Sequence, residues 1–289
     1  MFEHILVPLD GSELAEVALR HAEALASKLA SDVVLLHVLE DSDAEYRRMH
    51  ESYLENAARS VQGGNAVSVS TVLVEGHVAE QIIDYADEAS ISMIVMATRG
   101  RSGVRRWVMG SVADKVVRAA SQPVALIRAT GEEVSKPAFG RILLPLDGSG
   151  EAESVLPYAE ELALRLSSEI ILVSVVPPVS AVYAFPGETV QFPYTEADVH
   201  LMKGNAEAYL ENVKARLEAK GLRPSLKVLV GNTAEEVITA AERAHADLVA
   251  MSTHGRSGVS RWAFGSVTDK VLREGTTPIL LVRTGQEGS

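Results

Sequence analysis

Two glycine-rich segments carry the residues of this sequence that are best suited to chemistry. Each begins with Gly-Arg-Ser-Gly and ends with Gly-Ser, over residues 100–111 and again over residues 255–266. Glycine lets the backbone approach a ligand closely, and the closing Gly-Ser directly precedes helix-like sequence, whose first N–H groups attract anions. The segments therefore predict phosphate-binding loops, although a glycine-rich loop capped by serine stays open as an alternative. The predicted ligand contacts are Gly100, Arg101, Gly103, Gly110, Ser111 and Val112 in the first segment and Gly255, Arg256, Gly258, Gly265, Ser266 and Val267 in the second.

Two short segments at the ends of apolar runs are further candidates. Pro-Leu-Asp-Gly-Ser occurs at residues 8–12 and again at residues 145–149. An aspartate at a strand end can accept hydrogen bonds from ribose hydroxyls, or it can turn the chain and start a helix, and the residues leave both interpretations open. The next apolar run ends near residue 38 or 175, where backbone groups could meet an adenine edge, although a plain core strand is the better interpretation from the residues alone. The candidates are Pro8, Asp10, Val38, Pro145, Asp147 and Val175.

Several kinds of chemistry are excluded or unsupported. The sequence has no cysteine, which excludes disulfides, zinc–thiolate sites, iron–sulfur clusters and cysteine nucleophiles. It contains no G-x-x-x-x-G-K-[ST] loop, the first strand is not followed by G-x-G-x-x-G, and no G-x-S-x-G elbow is present. The eight histidines form no metal-ligand pair. We therefore predict no catalytic residues and no metal site of the protein's own.

An internal repeat organises the chain. HILVPLDGS at residues 4–12 returns as RILLPLDGS 137 residues later, whereas the glycine-rich segments lie 155 residues apart. Over residues 99–128 and 254–283, seventeen of thirty positions are identical. We expect two duplicated domains, 1–130 and 139–285, with an 18-residue insertion in the second near residues 177–200. The insertion holds Tyr183, Phe185, Phe192 and Tyr194, and we interpret it as a long loop that forms a lid or an interface rather than one folded on its own surface.

Within each copy, apolar runs alternate with amphipathic stretches. Runs that are apolar throughout, separated by helices, predict an α/β fold with a parallel sheet covered on both faces. Ligands of such sheets bind beyond the carboxyl ends of the strands, where the segments above are expected to lie. In the first copy the predicted strands are Ile5–Leu9, Val33–Leu39, Val67–Val74, Met93–Ala97 and Val124–Arg128, and the predicted helices are 13–30, 43–62, 78–89 and 111–120.

Composition narrows the class of protein. Of 289 residues, 47% are hydrophobic, so there is enough apolar surface for a folded core. The net charge of −12 opposes non-specific binding to nucleic acid. No signal peptide or membrane-spanning segment is evident, and we expect a cytoplasmic protein without a membrane partner.

The repeated motifs give the sequence a resemblance to a known family. Over nearly its whole length it resembles a tandem universal stress protein of the ATP-binding type. That branch carries the pattern G-x2-G-x9-G-[S/T], whose later part matches from Gly100 to Ser111 and from Gly255 to Ser266. The position of the first family glycine is occupied by Ala97 in one copy and by Ser252 in the other.

The resemblance implies a fold and a ligand. It implies two doubly wound, Rossmann-like domains, each with a five-stranded parallel sheet of strand order 3-2-1-4-5. It implies ATP, accompanied by Mg²⁺, with Asp10 and Asp147 beside the ribose or adenine and the backbone of Val38 and Val175 at the adenine. It also implies pairing through the final strand of each copy, Val124–Arg128 and Ile279–Arg283, formed here within one chain.

The expected function is that of an ATP-binding regulatory sensor in a stress response. Because no general base is evident, fast hydrolysis is not expected, while slow ATP turnover or phosphoryl transfer to a loop serine stays open. A homodimer and an unidentified protein partner are expected. Two alternatives remain: an interaction module that has lost its nucleotide, which Ala97 and Ser252 favour, and an adenylate-transferring enzyme of related fold, for which we find no catalytic signature.

Overall fold

The computed structural model describes residues 1–40, 43–62, 68–98, 109–128, 137–185, 188–255 and 264–283. The chain divides into two compact units. The elements of the first unit are β1 (His4–Pro8), α1 (Glu13–Leu29), β2 (Asp32–Leu39), α2 (Ala44–Gln62), β3 (Val69–Glu75), α3 (Val78–Glu88), β4 (Met93–Ala97), α4 (Ser111–Ala119) and β5 (Val124–Ile127). Those that follow are β6 (Arg141–Pro145), α5 (Gly150–Glu153), α6 (Leu156–Leu166), β7 (Glu169–Val176), β8 (Ser180–Phe185), β9 (Glu188–Pro193), α7 (Glu196–Glu218), β10 (Ser225–Val230), α8 (Thr233–Arg243), β11 (Leu248–Ser252), α9 (Ser266–Glu274) and β12 (Ile279–Val282). Of these, β12 belongs to the first unit and the others to the second.

The first unit is built on a parallel sheet of order β3-β2-β1-β4-β5. This confirms the order 3-2-1-4-5 that the family resemblance implied. Strands β1 and β4 are short and buried, because helices cover both faces of the sheet. The order reverses direction at β1, so the ends of β1, β2 and β4 lie side by side where such folds bind ligands.

Strand β12 extends this sheet. It pairs antiparallel with β5, and Leu280 lies opposite Ala125. Beyond β12, Arg283 Nη1 donates a hydrogen bond to the carbonyl of Ala119 at the end of α4 (3.0 Å). The final strands of the two sequence copies therefore pair within one chain, as the resemblance implied.

The second unit contains a parallel sheet of order β10-β7-β6-β11, the same order as the first four strands of the other copy. Its core is formed by apolar side chains of β6 and β7, such as Leu143 and Leu172.

The second copy differs from the first in two described features. The equivalent of α1 is split into α5 and α6, because Pro157 lies at the start of α6 and cannot supply the N–H that a continuous helix needs.

The second departure is the insertion, which forms a β-hairpin rather than the expected loop. Strands β8 and β9 pair antiparallel, with Tyr183 opposite Val190. Both strands are rich in the β-branched and aromatic residues that favour extended backbone. The side chains of Tyr183, Phe185 and Phe192 lie outside the described part of the structure, so the lid and interface hypotheses remain predictions.

Local signals explain where the helices begin and end. Ser12 Oγ accepts the N–H of Ala15 (3.2 Å) at the start of α1, where Glu13 and Glu16 favour the positive end of the helix. Ala30, with φ of 51°, ends α1 one residue before the predicted boundary. Across the described ranges, no helix is long and apolar enough to cross a membrane.

Candidate functional site

A cavity of about 810 Å³ lies in the first unit, between the ends of β1, β2 and β4 and the start of α4. This volume is in the range of small-molecule sites, roughly 300–1,000 Å³. Six residues predicted from the sequence line it together: Pro8, Asp10, Val38, Gly110, Ser111 and Val112. They come from three separate stretches of chain, and the sheet order is what brings them to one place.

The turn after β1 fixes Asp10 on the cavity wall. Asp10 Oδ1 accepts hydrogen bonds from Ser12 N (3.0 Å) and Ser12 Oγ (2.6 Å). Gly11 has φ of 80°, a conformation that favours glycine. Asp10 therefore turns the chain and helps to start α1, and the same turn places it beside the cavity. One geometry is therefore compatible with both interpretations of Asp10, as a residue that starts the helix and as a residue that contacts a ligand.

The start of α4 supplies an anion-attracting wall. Gly110 N donates to the carbonyl of Thr98 (2.9 Å), which holds the entry of the helix against the end of β4. Ser111, Val112 and Ala113, the first three residues of α4, all line the cavity. The first N–H groups of a helix have no acceptor within it, and the aligned peptide dipoles give this end a partial positive charge.

Three rings packed on one another lie at another part of the wall, and we call His37, His50 and Tyr46 the aromatic stack. The buried ring of His37 lies parallel to the buried ring of His50, with centroids 4.1 Å apart. Tyr46 meets His50 edge-on at 4.3 Å. His37 Nδ1 donates to the carbonyl of Leu9 (2.7 Å), which ties the stack to the end of β1. Both His37 and Tyr46 line the cavity.

Two acidic residues line the cavity beside the aromatic stack, Glu40 and Asp43. Asp43 Oδ1 accepts the backbone N–H groups of Glu45 (3.0 Å) and Tyr46 (2.7 Å) at the start of α2. Since β1 lies between β2 and β4, the α2 side of the cavity is acidic while the α4 side presents helix N–H groups. The cavity is therefore electrostatically polarised.

The second copy repeats the turn geometry. Asp147 Oδ1 accepts from Ser149 N (2.9 Å) and Ser149 Oγ (2.6 Å), and Gly148 has φ of 83°. A Cβ built on Gly255 would lie 2.5 Å from Asp147 Oδ2, so only glycine fits there without a shift. This close approach brings the strand-end aspartate and the start of the second glycine-rich segment together.

The other predicted residues of the second copy are placed as follows. Gly265 N donates to the carbonyl of Thr253 (3.0 Å), as Gly110 does to Thr98. Ser266 and Val267 begin α9, Pro145 ends β6, and Val175 is the penultimate residue of β7. The predicted contacts Gly100, Arg101, Gly103, Arg256 and Gly258 lie outside the described residues.

One shared tyrosine was missed by the sequence reasoning. Tyr-Leu-Glu-Asn occurs at residues 53–56 and again at 209–212, in α2 and α7, and this repeat is the signal that could have found it. Tyr53 packs edge-on to His37 at 6.5 Å. Tyr209 donates its hydroxyl to Glu153 Oε1 (3.0 Å), and burial together with this hydrogen bond raises the pKa of Tyr209 above its usual range. The tyrosine at this shared helix position therefore makes different contacts in the two copies.

The aromatic stack was also missed, because nothing in the linear sequence marks it. His37 lies in a strand that resembles a plain core strand, and Tyr46 and His50 lie four residues apart on a polar helix. Their contact depends on how α2 lies against the sheet. Among the described residues, no group of three or more His, Asp or Glu side chains is arranged to hold a metal ion.

Comparison with known proteins agrees with the repeat. The model of the universal stress protein family matches residues 1–128 and again residues 138–283. Universal stress protein Rv2005c of Mycobacterium tuberculosis is 27% identical over 242 residues, which cover 83% of this chain and 77% of the relative. Universal stress protein Slr1230 of Synechocystis sp. is 22% identical over 315 residues, covering 97% of this chain and 100% of the relative.

A solved structure shows the same architecture. The crystal structure of a universal stress protein from Archaeoglobus fulgidus matches with a TM-score of 0.78 and 19% identity, covering 99% of this chain and 100% of the other. At this identity the likeness establishes the fold alone. With the family model matched twice along the chain, this protein belongs to the universal stress protein family and carries two copies of the family's domain.

Proposed function

We propose that this chain binds ATP with its Mg²⁺, and that it acts as a nucleotide-dependent regulator in a stress response. The observation that carries the proposal is the cavity in which the strand-end aspartate Asp10 and the first residues of α4 meet. An α/β sheet offers its ligand site at this edge, and the start of α4 offers the N–H groups that a phosphate needs.

The polarity of the cavity sets the direction of the nucleotide. Phosphates lie at the start of α4, because Ser111 and Val112 present helix N–H groups and a partial positive charge there. The base lies toward Val38 and α2, because Glu40 and Asp43 would repel phosphates. The ribose falls between them, beside Asp10.

Mg²⁺ reaches the site with the nucleotide in this proposal. Magnesium prefers phosphate oxygens, water and one or two carboxylates to a cage made only of protein ligands. The arginines of the glycine-rich segments, Arg101 and Arg256, are predicted to add positive charge at the phosphates. Because the sequence shows no evident general base, we propose slow ATP turnover at most.

We propose a second site in the second copy, so that residues 1–130 and 139–285 each hold one nucleotide. The close approach of Gly255 to Asp147 and the placement of Gly265 and Ser266 at the start of α9 support this. Nucleotide occupancy would then regulate a homodimer or the choice of a protein partner.

Calorimetric titration of the nucleotide-depleted chain with ATP–Mg²⁺ tests the proposal. We expect saturable heat with two equivalents per chain, reduced to one by Gly110→Trp or by Gly265→Trp, since the indole would fill the phosphate end of one site. Gly150→Trp is the matched control, because a Cβ there meets nothing within 4 Å. No heat from the unmodified chain, or unchanged binding in both loop variants, would overturn the proposed sites.

A further inference from the structure

We propose that Tyr46 is a base-stacking residue of the first cavity, and that the aromatic stack makes this site selective for ligands with a planar base. The aligned positions of the second copy hold no aromatic residue, so we infer that the two sites differ in what they select. The inference rests on the proposed nucleotide function, because it concerns the base end of the same cavity.

The ring of Tyr46 packs against a pair of stacked histidine rings. It packs on His50 at 4.3 Å with an angle of 63° between the rings, and His50 stacks on His37 at 4.1 Å and 15°. His37 and His50 are both buried, whereas Tyr46 is half-buried and lines the cavity. Two buried rings therefore support a third that borders the ligand space, which lowers the entropy cost of stacking a base on it.

The backbone beneath Tyr46 is fixed as well. Its N–H donates to Asp43 Oδ1 (2.7 Å) in the first turn of α2. One residue later, Arg47 forms an ion pair with Glu75 at the end of β3, which ties this end of α2 to the sheet. The position of Tyr46 thus depends on two separate anchors and on the stack.

The stack is also connected to the turn that carries Asp10. His37 Nδ1 donates to the carbonyl of Leu9, the residue directly before Asp10 (2.7 Å). A base on Tyr46 and a ribose beside Asp10 would therefore be positioned by one connected group of residues. Glu40, also on this wall, favours a base with hydrogen-bond donors over a phosphate.

The second copy has no counterpart of the stack. Aligning Tyr53 with Tyr209 places Met202 at the position of Tyr46 and Ala206 at that of His50. The strand position of His37 is taken by Ser174. The Tyr-Leu-Glu-Asn segment and the aspartate turn are kept in both copies, so the residues of the stack are a difference at the base end of otherwise comparable positions.

The experiment measures two ligands on the full chain carrying Gly265→Trp, so that the first site alone is read. ATP–Mg²⁺ has a base, and inorganic tripolyphosphate–Mg²⁺ has none. Base–aromatic stacking predicts that Tyr46→Met, the residue found in the second copy, weakens ATP binding about tenfold and leaves tripolyphosphate binding unchanged. Tyr46→Phe keeps the ring and should restore ATP affinity to within about twofold.

Controls separate this inference from the proposed function. Leu201→Met, at an exposed residue outside the first copy, should leave both affinities unchanged, and thermal unfolding verifies that each variant folds. If ATP binds and Gly110→Trp abolishes it, but Tyr46→Met has no effect on ATP, stacking is overturned while the proposed function stands. An equal loss for both ligands in Tyr46→Met would also overturn stacking, because the ring would then act through the shape of the site. If the unmodified chain binds neither ligand, the proposed function itself fails.

Discussion

Replacing Ser111 with proline removes one backbone N–H group and the side-chain hydroxyl from the phosphate end of the cavity. Ser111 is the first residue of α4, where proline is well tolerated and the N–H has no acceptor within the helix. The preceding Gly110 has φ of −62° and ψ of 149°, the extended backbone that a residue before proline prefers. The substitution therefore deletes a donor without disturbing the helix.

The expected magnitude follows from the charge of the ligand. A hydrogen bond to a charged group contributes about 1.5–3 kcal/mol, so in a chain whose second site is blocked by Gly265→Trp, Ser111→Pro should weaken ATP binding at the first site roughly ten- to hundredfold. Ser111→Ala is the matched control, because it removes the hydroxyl but keeps the N–H, and its loss should be smaller. Adenosine, which has no phosphate, should bind both variants and the unmodified chain equally.

Calorimetric titration with ATP–Mg²⁺ and with adenosine provides the assay, and circular dichroism verifies the helix. Equal ATP affinity for Ser111→Pro and the unmodified chain, with the fold intact, would refute the phosphate assignment at α4. A loss that also affects adenosine would show that the variant had changed the cavity instead.

Three further predictions concern stability. Gly255→Ala should lower the free energy of unfolding by about 1–3 kcal/mol, because its Cβ would lie 2.5 Å from Asp147 Oδ2. Gly150→Ala should be nearly neutral, since a Cβ there meets nothing within 4 Å, and equal urea midpoints for the two variants would contradict this. Burial lowers the pKa of His21, so the unfolded chain binds a proton more readily and stability should decrease as the pH falls below about 6.5. His21→Gln should reduce this change in stability between pH 7.5 and 5.5, measured by urea unfolding. An unchanged difference between the two pH values would show that His21 does not cause it. Tyr209→Phe loses a hydrogen bond to a carboxylate and should destabilise the chain by about 1.5–3 kcal/mol in the same assay, so an unaltered midpoint would show that this bond contributes nothing.

The repeat and the sheet could be predicted from the sequence because they rest on local patterns. Met93–Ala97 was predicted with the boundaries that the structure has, since five apolar residues between polar ones can form only a short buried strand here. Ser12 begins α1 through a cap that the sequence shows directly. Helix and sheet boundaries elsewhere differ by a residue or two, where the backbone conformation of a single residue such as Ala30 decides the end.

The rest depended on contacts between distant residues. Gly255 and Asp147 lie far apart in sequence, and their close approach depends on β6 and β11, the strands they follow, lying side by side in the sheet. The aromatic stack likewise depends on which face of α2 lies against the sheet. Hydrophobic periodicity does not determine that face for a helix as polar as α2. The insertion was interpreted as a long loop, and the β-branched and aromatic residues of β8 and β9 are the signal that could have predicted its β-hairpin.

The most direct test is the nucleotide content of the purified chain. Protein prepared without added nucleotide is denatured, and the supernatant is separated on an ion-exchange column with absorbance detection. The account predicts release of ATP, approaching two equivalents per chain. No released nucleotide, followed by no heat when the same preparation is titrated with ATP–Mg²⁺, would contradict it.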